Sequence, residues 1–541
     1  EDQEFEQIPN WLASLLKERK IELENSSLPG KIPFLHIAYK LAQAYSTSHQ
    51  GHNSLQNKGI LWLVNEFKQW MFQSVEPLLE NHHKFRRNWI LADLACTTIT
   101  GLISDQVITE GFNVIDEYDL REWLLKHGAS EMTVNSALVR GVYNLVFGYQ
   151  KGNINLPNLA AGTALRSTLR LAFNYKGAIF WKMQAGMGDI IFTPLYEVLK
   201  QRGVKFKFFH RVQHLGLSED KKRIATIKIA RQATVKQGEY QPLINVKGLS
   251  CWPSSPLYEQ LVEGEALLAN NINLESTWTK WPALEELTLE EGEDFDTVIL
   301  GISLGALKYI CSELIDNQKQ WQEMVEQVKT IPTSALQLWL KPSLEELGWP
   351  MPSPLMDVCV HPLNTWADMS HLIQQESWSE PNSPGSIAYF CGPLEEVETM
   401  PGFEEQQFPT QQSFQVKYDA LQWSKQAIST MWPKIVGSQN SVEIDWRKLI
   451  APEEVNGAAK FNFQYWRANI ELSDRYVLSV KGSTKYRLKA DESGFNNLYL
   501  AGDWTLNGLN IGCLEAAVMS GMQTARGICG FPQQIAGEFD V

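Results

Sequence analysis

The segment NLYLAGDWTLNGLNIGCLEAAVMSG, residues 497–521, combines residue types that suit an anionic ligand. An apolar run predicts a short strand that ends at Asp503, and a helix is expected to begin near Leu514. Ligands of open α/β sheets bind beyond the carboxyl ends of the strands, so Asp503 is placed to accept hydrogen bonds from ligand hydroxyls. Gly508 and Gly512 would let the backbone approach a ligand closely, and the helix N-terminus attracts negative charge. A strand, loop and helix without any ligand explain the same residues equally well.

Two earlier segments predict elements that alternate in the manner of an α/β fold. Residues 177–215 contain a glycine turn, then a helix over about 189–201 that Gly203 ends, then an alternating strand over VKFKFFHRV, residues 204–212. Residues 295–311, FDTVILGISLGALKYIC, predict a buried strand, a turn and a helix. Strand-period and helix-period segments therefore alternate along the chain, which favours the α/β class.

The rest of the chain predicts a helical beginning and a mixed middle region. Residues 1 to about 150 are mainly helical by the spacing of their apolar residues, and Gly128 is expected to end one of these helices. The segments that carry this period are 8–23, 59–82 and 117–130. Between about 330 and 485, TSALQLWLKPS predicts a strand and residues 414–432 predict a helix.

The composition argues against several classes of function. The chain has 541 residues, a net charge of -14 and a pI near 5.3, which argues against a nucleic-acid partner. Its seven cysteines are scattered without metal-binding spacing, so we expect free thiols, no metal site and a cytoplasmic location. No apolar run is long enough to span a membrane, and peripheral membrane contact stays open. Because the first residue is Glu1 rather than Met, we expect a processed product or a segment of something longer.

The terminal unit closely resembles a known cofactor signature. NLYLAGDWT followed by GCLEAAVMSGMQTARGI resembles the C-terminal FAD signature of the flavin-containing amine oxidase and phytoene desaturase superfamily. The resemblance implies FAD as the cofactor. Asp503, after Gly502, would lie by the ribityl–pyrophosphate region, and the backbone of Cys513 and Leu514, after Gly512, would face the flavin pyrimidine edge.

Three other segments match the same family in the expected order. QAGMGDIIFTPLYEVLKQRGVKFKFFHRV is similar to the family's glycine turn, helix and strand, so Gly186 and Gly188 would form the tight turn near the cofactor. Val212 would meet the adenine through its main chain. FDTVILGISLGALK resembles the second strand of the FAD domain, and SDRYVLSVKGSTKYRL resembles the approach to the last unit.

The resemblance implies an α/β, mixed α+β fold in which a Rossmann-like FAD/NAD(P)-binding domain is interleaved with a substrate domain and preceded by a helical region. The expected divisions are 1–155, helical and on the substrate or cap side; 156–320, FAD-binding with a β insertion at about 216–293; 321–485, substrate-binding; and 486–541, the C-terminal FAD-binding portion.

One part of the family pattern is missing from these residues. The family opens with a βαβ unit that carries G-x-G-x-x-G, whereas GMGDII has Ile191 at the third small position and GISLGA has the wrong spacing. Three explanations stay open: a missing N-terminal segment, a separate subunit that carries the glycine-rich loop, or loss of FAD with retention of the fold.

Two kinds of reaction occur in the resembled family, and the residue types at certain positions distinguish them. Amine oxidases keep a lysine near the flavin, whose position falls near Ala335 here, and a flanking aromatic where this chain has Cys513. Both departures argue against a standard amine oxidase. Amino-acid oxidases need an arginine for the carboxylate, and Arg166, Arg170 and Arg487 are the candidates.

The leading hypothesis is an FAD-dependent oxidoreductase of the desaturase-like branch. It would transfer hydride between flavin and an apolar, isoprenoid- or carotenoid-like small molecule, and the AGDWT form favours this branch. The alternatives are an amine or L-amino-acid oxidase of the same fold, and a flavin-less binding or scaffold protein. No catalytic residue is assigned.

Several other polar residues are weaker candidates. Lys182 precedes the glycine turn, where a solvated lysine is the simpler interpretation. Asp368 and His371 have a spacing that would place both on one helical face, but a metal site needs more ligands. The remaining histidines that we considered are His210 and His214, expected at the surface, and His361, a candidate to line the substrate domain.

Overall fold

The computed structural model of the chain describes residues 54–539, apart from 176, 179, 353–354, 358–359, 379–381 and 438–442. The helix predicted over residues 8–23 lies outside this range. The chain divides into two compact units. The helical unit comprises residues up to 142 together with 160–179, and the main unit comprises 143–159 together with the chain from 180 onward.

Helices occur along the whole described chain. Their bounds are α1 Ser54–Val75, α2 His83–Ser104, α3 Val107–Glu110, α4 Leu120–Lys126, α5 Glu131–Val134, α6 Ala137–Leu145, α7 Ala161–Phe173, α8 Thr193–Gln201, α9 Gly264–Ala269, α10 Leu304–Ile310, α11 Ser312–Asn317, α12 Lys319–Gln327, α13 Phe408–Met431 and α14 Leu514–Cys529. Short 3₁₀ turns connect several of them, and a turn of π-helix over Gly188–Phe192 leads into α8.

The strands found in the described part of the chain all lie in the main unit. Their bounds are β1 His210–Leu217, β2 Ile224–Arg231, β3 Ile244–Val246, β4 Leu249–Cys251, β5 Glu285–Glu290, β6 Val298–Leu300, β7 Thr330–Ile331, β8 Thr333–Leu340, β9 Leu355–Asp357, β10 Thr365–Asp368, β11 Ser386–Pro393, β12 Tyr465–Asn469, β13 Tyr476–Val477 and β14 Leu498–Leu500. The described chain is therefore of mixed helix and strand, as the sequence predicted at that level.

The helical unit is held by caps and by one close glycine contact. Asp119 and Glu122 form a capping box at the start of α4, and Gly128 has a positive φ of 85° after its end, so the predicted C-cap is confirmed. A Cβ on Gly101 would lie 2.2 Å from the ring of Trp123. Glycine is required there because α2 approaches the buried indole directly.

The largest sheet of the main unit has five antiparallel strands in the order β12-β8-β11-β10-β9. Alternation along β8 turns Leu336, Leu338 and Leu340 into a core that also contains Trp423 and Ile428 of α13. The strand predicted from TSALQLWLKPS and the helix predicted over 414–432 are both confirmed, although α13 begins earlier than predicted.

A three-stranded antiparallel sheet, β1-β2-β5, occupies part of the predicted β insertion, together with the hairpin β3-β4. The prediction that a strand begins at Val204 is wrong, because β1 begins only at His210. Gly203, with φ of 86°, ends α8 as predicted, and the Val204 amide bonds back to the Leu199 carbonyl at 3.0 Å. Within the described residues the segment Val204–Lys207 has no partner strand, and a strand without a partner is not stabilised.

The strands β6 and β14 form a two-stranded parallel sheet in which Leu498, Tyr499 and Leu500 pair with Val298, Ile299 and Leu300. These are the two strands predicted from FDTVILG and NLYLAGD, so both strands are confirmed. Their buried faces belong to a core that also contains residues of β1, β2 and the helices α10 to α12. Each of the two strands leads at its carboxyl end into a helix, α10 or α14.

Candidate functional site

Asp503 lies three residues beyond the end of β14, in the turn that leads toward α14. Burial raises the pKa of its carboxyl group above the usual 3.8, while the charge of Arg487 and a backbone N–H act in the opposite direction. Within the described part of the chain, no side chain donates a hydrogen bond to this carboxylate. A largely buried carboxylate without side-chain donors costs stability, so it suits a partner that brings hydrogen-bond donors.

Arg487 holds the backbone at Asp503 in place through hydrogen bonds. The residue is 2% exposed, and its guanidinium donates to the carbonyl oxygens of Asp503, at 2.7 Å, and Leu478, at 3.1 Å. It also donates to the hydroxyl of Ser479 at 3.2 Å. These bonds join the turn after β14 to the segment after β13. The arginine therefore acts on the Asp503 carboxylate through its charge rather than through a hydrogen bond.

Tyr476 braces the other end of the loop. Its hydroxyl donates to the Gly512 carbonyl at 2.7 Å, and a Cβ on Gly512 would lie 2.6 Å from Cζ of the tyrosine ring. Burial strongly raises the pKa of Tyr476, and the neighbouring Cys513 and Asp503 raise it further. Burial also raises the pKa of the Cys513 thiol to about 12. Tyr476, Asp503, Cys513 and Arg487 thus form one electrostatic cluster.

The loop between β14 and α14 is held by its own hydrogen bonds. The Asn507 side chain accepts from the amides of Leu509, at 2.8 Å, and Asn510, at 2.9 Å. A Cβ on Gly508 would lie 2.5 Å from the Glu538 carbonyl oxygen. Gly508 and Gly512 are therefore needed by contacts inside the protein, which is a different reason from the close ligand approach that we expected.

Gly502 and the start of α14 complete this end of the sheet. Gly502 has φ of 151°, and a Cβ there would lie 2.4 Å from Nε1 of Trp504. Ser520 accepts from the Gly502 amide at 3.1 Å, which ties α14 to β14. Cys513 precedes Leu514 in an extended conformation and forms no capping hydrogen bond with its side chain. The first amides of this helix, which begins at Leu514 as predicted, therefore point beyond the carboxyl end of the sheet.

The other predicted cofactor residues lie on different elements. The amide of Asp189 donates to the Gly186 carbonyl at 2.9 Å, so the glycine turn forms as expected. A Cβ on Gly188 would contact Trp252 at 3.4 Å, and the Asp189 carboxylate accepts from the Trp252 amide, so this turn packs on the segment after β4. Val212 lies on β1, next to an irregularity of the ladder, and packs against the same core as β6 and β14.

One face of the five-stranded sheet is less covered than the other. On this face Ala335 has Cys391 and Arg467 as its neighbours on the adjacent strands, and Gln337 has Tyr389 and Tyr465. Tyr389 and Cys391 are partly exposed to solvent. Burial of their side chains nevertheless raises the pKa of both, and that of the Cys391 thiol to about 12. This less covered face is therefore a candidate substrate surface.

The weaker candidates have structural contacts. Asp368 ends β10 and His371 lies in a 3₁₀ turn, so the common helical face that we considered does not form. Asp368 accepts from the Ser370 amide at 3.0 Å and lies 3.7 Å from the Lys182 ammonium, while His371 contacts the Met183 carbonyl at 2.7 Å. Among the described residues no group of His, Cys, Asp or Glu could hold a metal ion.

Two of the candidate arginines are in the helical unit. Arg166 and Arg170 lie on α7, and burial lowers the pKa of Arg166 to about 10, with Asp116 acting in the opposite direction. His214 lies 3.5 Å from Glu313, and the ring of His361 contacts Tyr149 edge to face at 5.6 Å between centroids.

None of the helices in residues 54–539 that the structure describes is long and apolar enough to cross a membrane.

Sequence reasoning did not assign Tyr476 and Arg487 to the cluster around Asp503. The signal was present, because both belong to SDRYVLSVKGSTKYRL, the segment that resembles the approach to the last unit. Their roles depend on which carbonyl groups lie opposite, and only the folded chain brings β13 beside the loop before α14.

Comparisons with known proteins do not assign a function to this site. No protein-family profile matches the chain, and no curated protein matches it. Among solved structures, an oxidoreductase from Methanosarcina mazei is similar over 75% of this chain and 68% of that chain, with 10% sequence identity and a TM-score of 0.39. A score of that size supports no assignment of fold or activity.

Proposed function

We propose that this protein is an FAD-dependent oxidoreductase of the desaturase-like branch, which acts on an apolar, isoprenoid-like small molecule. The observation that carries the proposal is the Asp503 carboxylate, which is partly buried without a side-chain donor at the carboxyl end of a parallel strand. The uncapped N-terminus of α14 adds positive potential at the same end. Together they fit a group with ribityl hydroxyls and an anionic or electron-rich ring.

Each predicted residue would have a limited role toward that group. Asp503 would accept hydrogen bonds from hydroxyls, and Arg487 would hold its backbone in place. The amides that follow Cys513, beginning with Leu514, would stabilise negative charge on the ring. When bound, FAD would supply hydride transfer. Gly502, Gly512, Gly186, Gly188 and Val212 remain proposed cofactor residues through their backbone positions.

The preference for an apolar substrate is supported by the candidate substrate surface. Ala335 occupies its middle, where a lysine would be expected for an amine oxidase. Arg467, which pairs beside it on β12, donates to Asp474 at 3.0 Å and is thereby engaged in an ion pair. A surface of this composition favours a substrate that is held by shape rather than by an ion pair.

A flavin-less binding or scaffold protein is the second candidate, and one contact favours it. The ring of Tyr476 fills the space in front of Gly512, and its hydroxyl donates a hydrogen bond to the Gly512 carbonyl oxygen. A site that had lost its cofactor would gain stability from such internal packing.

The test is the absorption spectrum of the protein purified from its complete open reading frame. A flavin band near about 450 nm that polyenes or other apolar substrates bleach without oxygen would support the proposal. A colourless protein that takes up no added FAD would support the scaffold. Peroxide release with amines or amino acids, and none with polyenes, would support an amine or amino-acid oxidase.

A further inference from the structure

A cavity of the main unit lies between α10, α12 and the segments next to β7 and β13. Its volume is about 190 Å³. One part of its wall is apolar and is formed by Leu304, Val325, Val328, Met400 and Leu472. A Cβ on Gly305 would lie 2.5 Å from the Leu472 carbonyl oxygen, so glycine is needed for α10 to approach this segment. The apolar part of the wall can receive a small apolar group, which would leave water on binding.

The other part of the wall is cationic. It is formed by Arg475, Lys308 and Lys329, with Glu396 as the single carboxylate among the described residues that line the cavity. Three cations and one carboxylate give these side chains a formal net charge of +2, whereas the whole chain has a net charge of -14. Positive charge that is concentrated around a concave wall attracts anions, even in a protein that is acidic as a whole.

Arg475 is fixed in position, but one of its nitrogen atoms is left without an acceptor. Its side chain is 6% exposed. Nε donates to the Thr330 hydroxyl at 2.9 Å, and Nη2 donates to the Thr330 carbonyl at 2.8 Å and to Glu396 at 2.5 Å. Nη1 donates to no residue in the described part of the chain. A largely buried guanidinium with a spare donor favours an anion in the cavity, because such a donor is costly to leave unsatisfied.

The two lysines are also without acidic partners. The Lys308 ammonium lies 4.8 Å from the centre of the Tyr309 ring, and the Lys329 ammonium donates to the Glu326 carbonyl. Neither ammonium forms an ion pair with a carboxylate of the described residues. Both residues are exposed, so they lie where the cavity meets water. Lysines in this position act as point charges toward phosphate, whereas arginine binds it through its planar fork.

The cavity lies on the opposite side of the β7-β13 pair from the cluster around Asp503. Thr330 pairs with Val477, and Arg475 donates to Thr330, so these three residues share one face of the two strands. Adjacent residues of a strand face opposite sides, so Tyr476 of that cluster lies on the other face. The cavity is therefore separate from the proposed flavin site, and what it binds does not depend on the flavin.

We propose that this cavity binds a small phosphate monoester that carries a short apolar group. A phosphate monoester has a charge of about -1.5 to -2 at neutral pH, which matches the net charge of the cationic wall. Its oxygens would accept hydrogen bonds from Nη1 of Arg475 and from the ammonium groups of Lys308 and Lys329. Its apolar group would pack against Val328 and Leu472. A carboxylate of the same size would leave part of the positive charge uncompensated.

Isothermal titration of the purified protein tests the ligand class. The probe is n-butyl phosphate, and the comparison compounds are inorganic phosphate and butyrate. We expect n-butyl phosphate to bind at one site with a Kd below about 1 mM and more tightly than either comparison compound. The absence of saturable binding would overturn the proposal. Equal affinity for inorganic phosphate would overturn the role of the apolar wall, and tighter binding of butyrate would overturn the choice of phosphate.

Substitution of the lysines tests the location. Lys308→Gln and Lys329→Gln are each expected to weaken n-butyl phosphate binding about tenfold, because each removes a hydrogen bond between charged groups. Lys319→Gln is the matched control, since Lys319 is 83% exposed, pairs with Glu323 and does not line the cavity. The control should leave the affinity unchanged, and none of the three variants should change the unfolding midpoint. Equal losses of affinity in all three variants would overturn the location, as would unchanged affinity in both cavity variants.

Substitution of Glu396 gives a test of opposite sign. Its carboxylate competes with an anionic ligand for the Arg475 guanidinium, at 2.5 Å. Glu396→Gln is therefore expected to lower the unfolding midpoint of the unliganded protein and to strengthen n-butyl phosphate binding about tenfold. A purely structural role of this ion pair would give the loss of stability without the gain of affinity. Unchanged or weaker binding in this variant would overturn the placement of the phosphate beside Arg475.

Discussion

Replacing Asp503 with asparagine separates two effects of its carboxylate: the stability that its buried charge costs the unliganded protein, and its proposed hydrogen bonds to a flavin ligand. Asparagine keeps the shape of the side chain and removes the charge, so the unliganded protein no longer carries a largely buried carboxylate without side-chain donors. Because Asp503 is only partly buried, we expect the low end of the usual cost, about 1 kcal/mol, to be recovered at neutral pH. That corresponds to a rise of about 1–3 °C in the unfolding midpoint.

The same substitution should have the opposite effect on the ligand. A hydrogen bond to a charged acceptor contributes about 1.5–3 kcal/mol, so flavin should bind about 10- to 150-fold more weakly to the variant. The assay is calorimetric unfolding of the unliganded protein together with titration of FAD fluorescence. Asp316→Asn, at an exposed helical position, is the matched control and should change neither.

The pH dependence fixes the sign of the stability effect. The pKa of Asp503 is raised in the folded protein, so the folded state binds this proton more tightly than the unfolded state. The stability from protonating Asp503 is present below the usual 3.8 and is lost as the pH rises through the raised pKa. The gain from asparagine should therefore be found at neutral pH and be absent at low pH. A stabilisation that is independent of pH, or unchanged flavin affinity, would refute the reasoning.

Other predictions concern packing and reactivity. Burial alone would raise the pKa of Asp93, but bonds from Lys68 and nearby hydroxyls lower it, so its stabilising effect should be lost as the pH falls through that lowered pKa. Asp93→Asn should cost about 3 kcal/mol in urea unfolding at neutral pH and little at acid pH. Gly512→Ala should destabilise by about 2 kcal/mol, and Tyr476→Ala in the same chain should relieve part of that cost in a double-mutant cycle. Iodoacetamide should label the exposed Cys529 before any buried thiol, as read by peptide mass spectrometry.

Local patterns were sufficient to predict several elements, because their signals lie within a few residues. The strand of β8, the helix α13 and the start of α14 at Leu514 follow from periodicity alone. The C-cap at Gly128 follows from the need for a positive φ. These features depend on neighbours along the chain, and neighbours along the chain are what a sequence shows.

Features that depend on distant partners were not predictable in the same way. Val204 to Lys207 has the alternation of a strand, but pairing decides whether a strand forms, and no described partner is present. The spacing of Asp368 and His371 suggested a helical face, whereas the chain turns after β10 and places them on different elements. The contact of Tyr476 with Gly512 joins residues 36 apart in sequence.

The two incomplete features of the main unit lie on the same parallel sheet. Asp503 has a carboxylate without side-chain donors beyond the carboxyl end of β14, and Ile299 has an exposed side chain and backbone groups that no described strand pairs on β6. A protein that had adapted to an open edge would carry lysine or proline there, or an inward charge, whereas the central residue of β6 is isoleucine. Its short length is one protection, and the side chain of Ile299 is 55% exposed in the described part of the chain. Tyr476 and Gly512 show internal packing at the opposite side of the loop, which a scaffold would also need. The scaffold therefore explains the packed side of the site, whereas the proposed flavin function also gives a use to the Asp503 carboxylate, which would accept hydrogen bonds from the hydroxyls of a bound ligand.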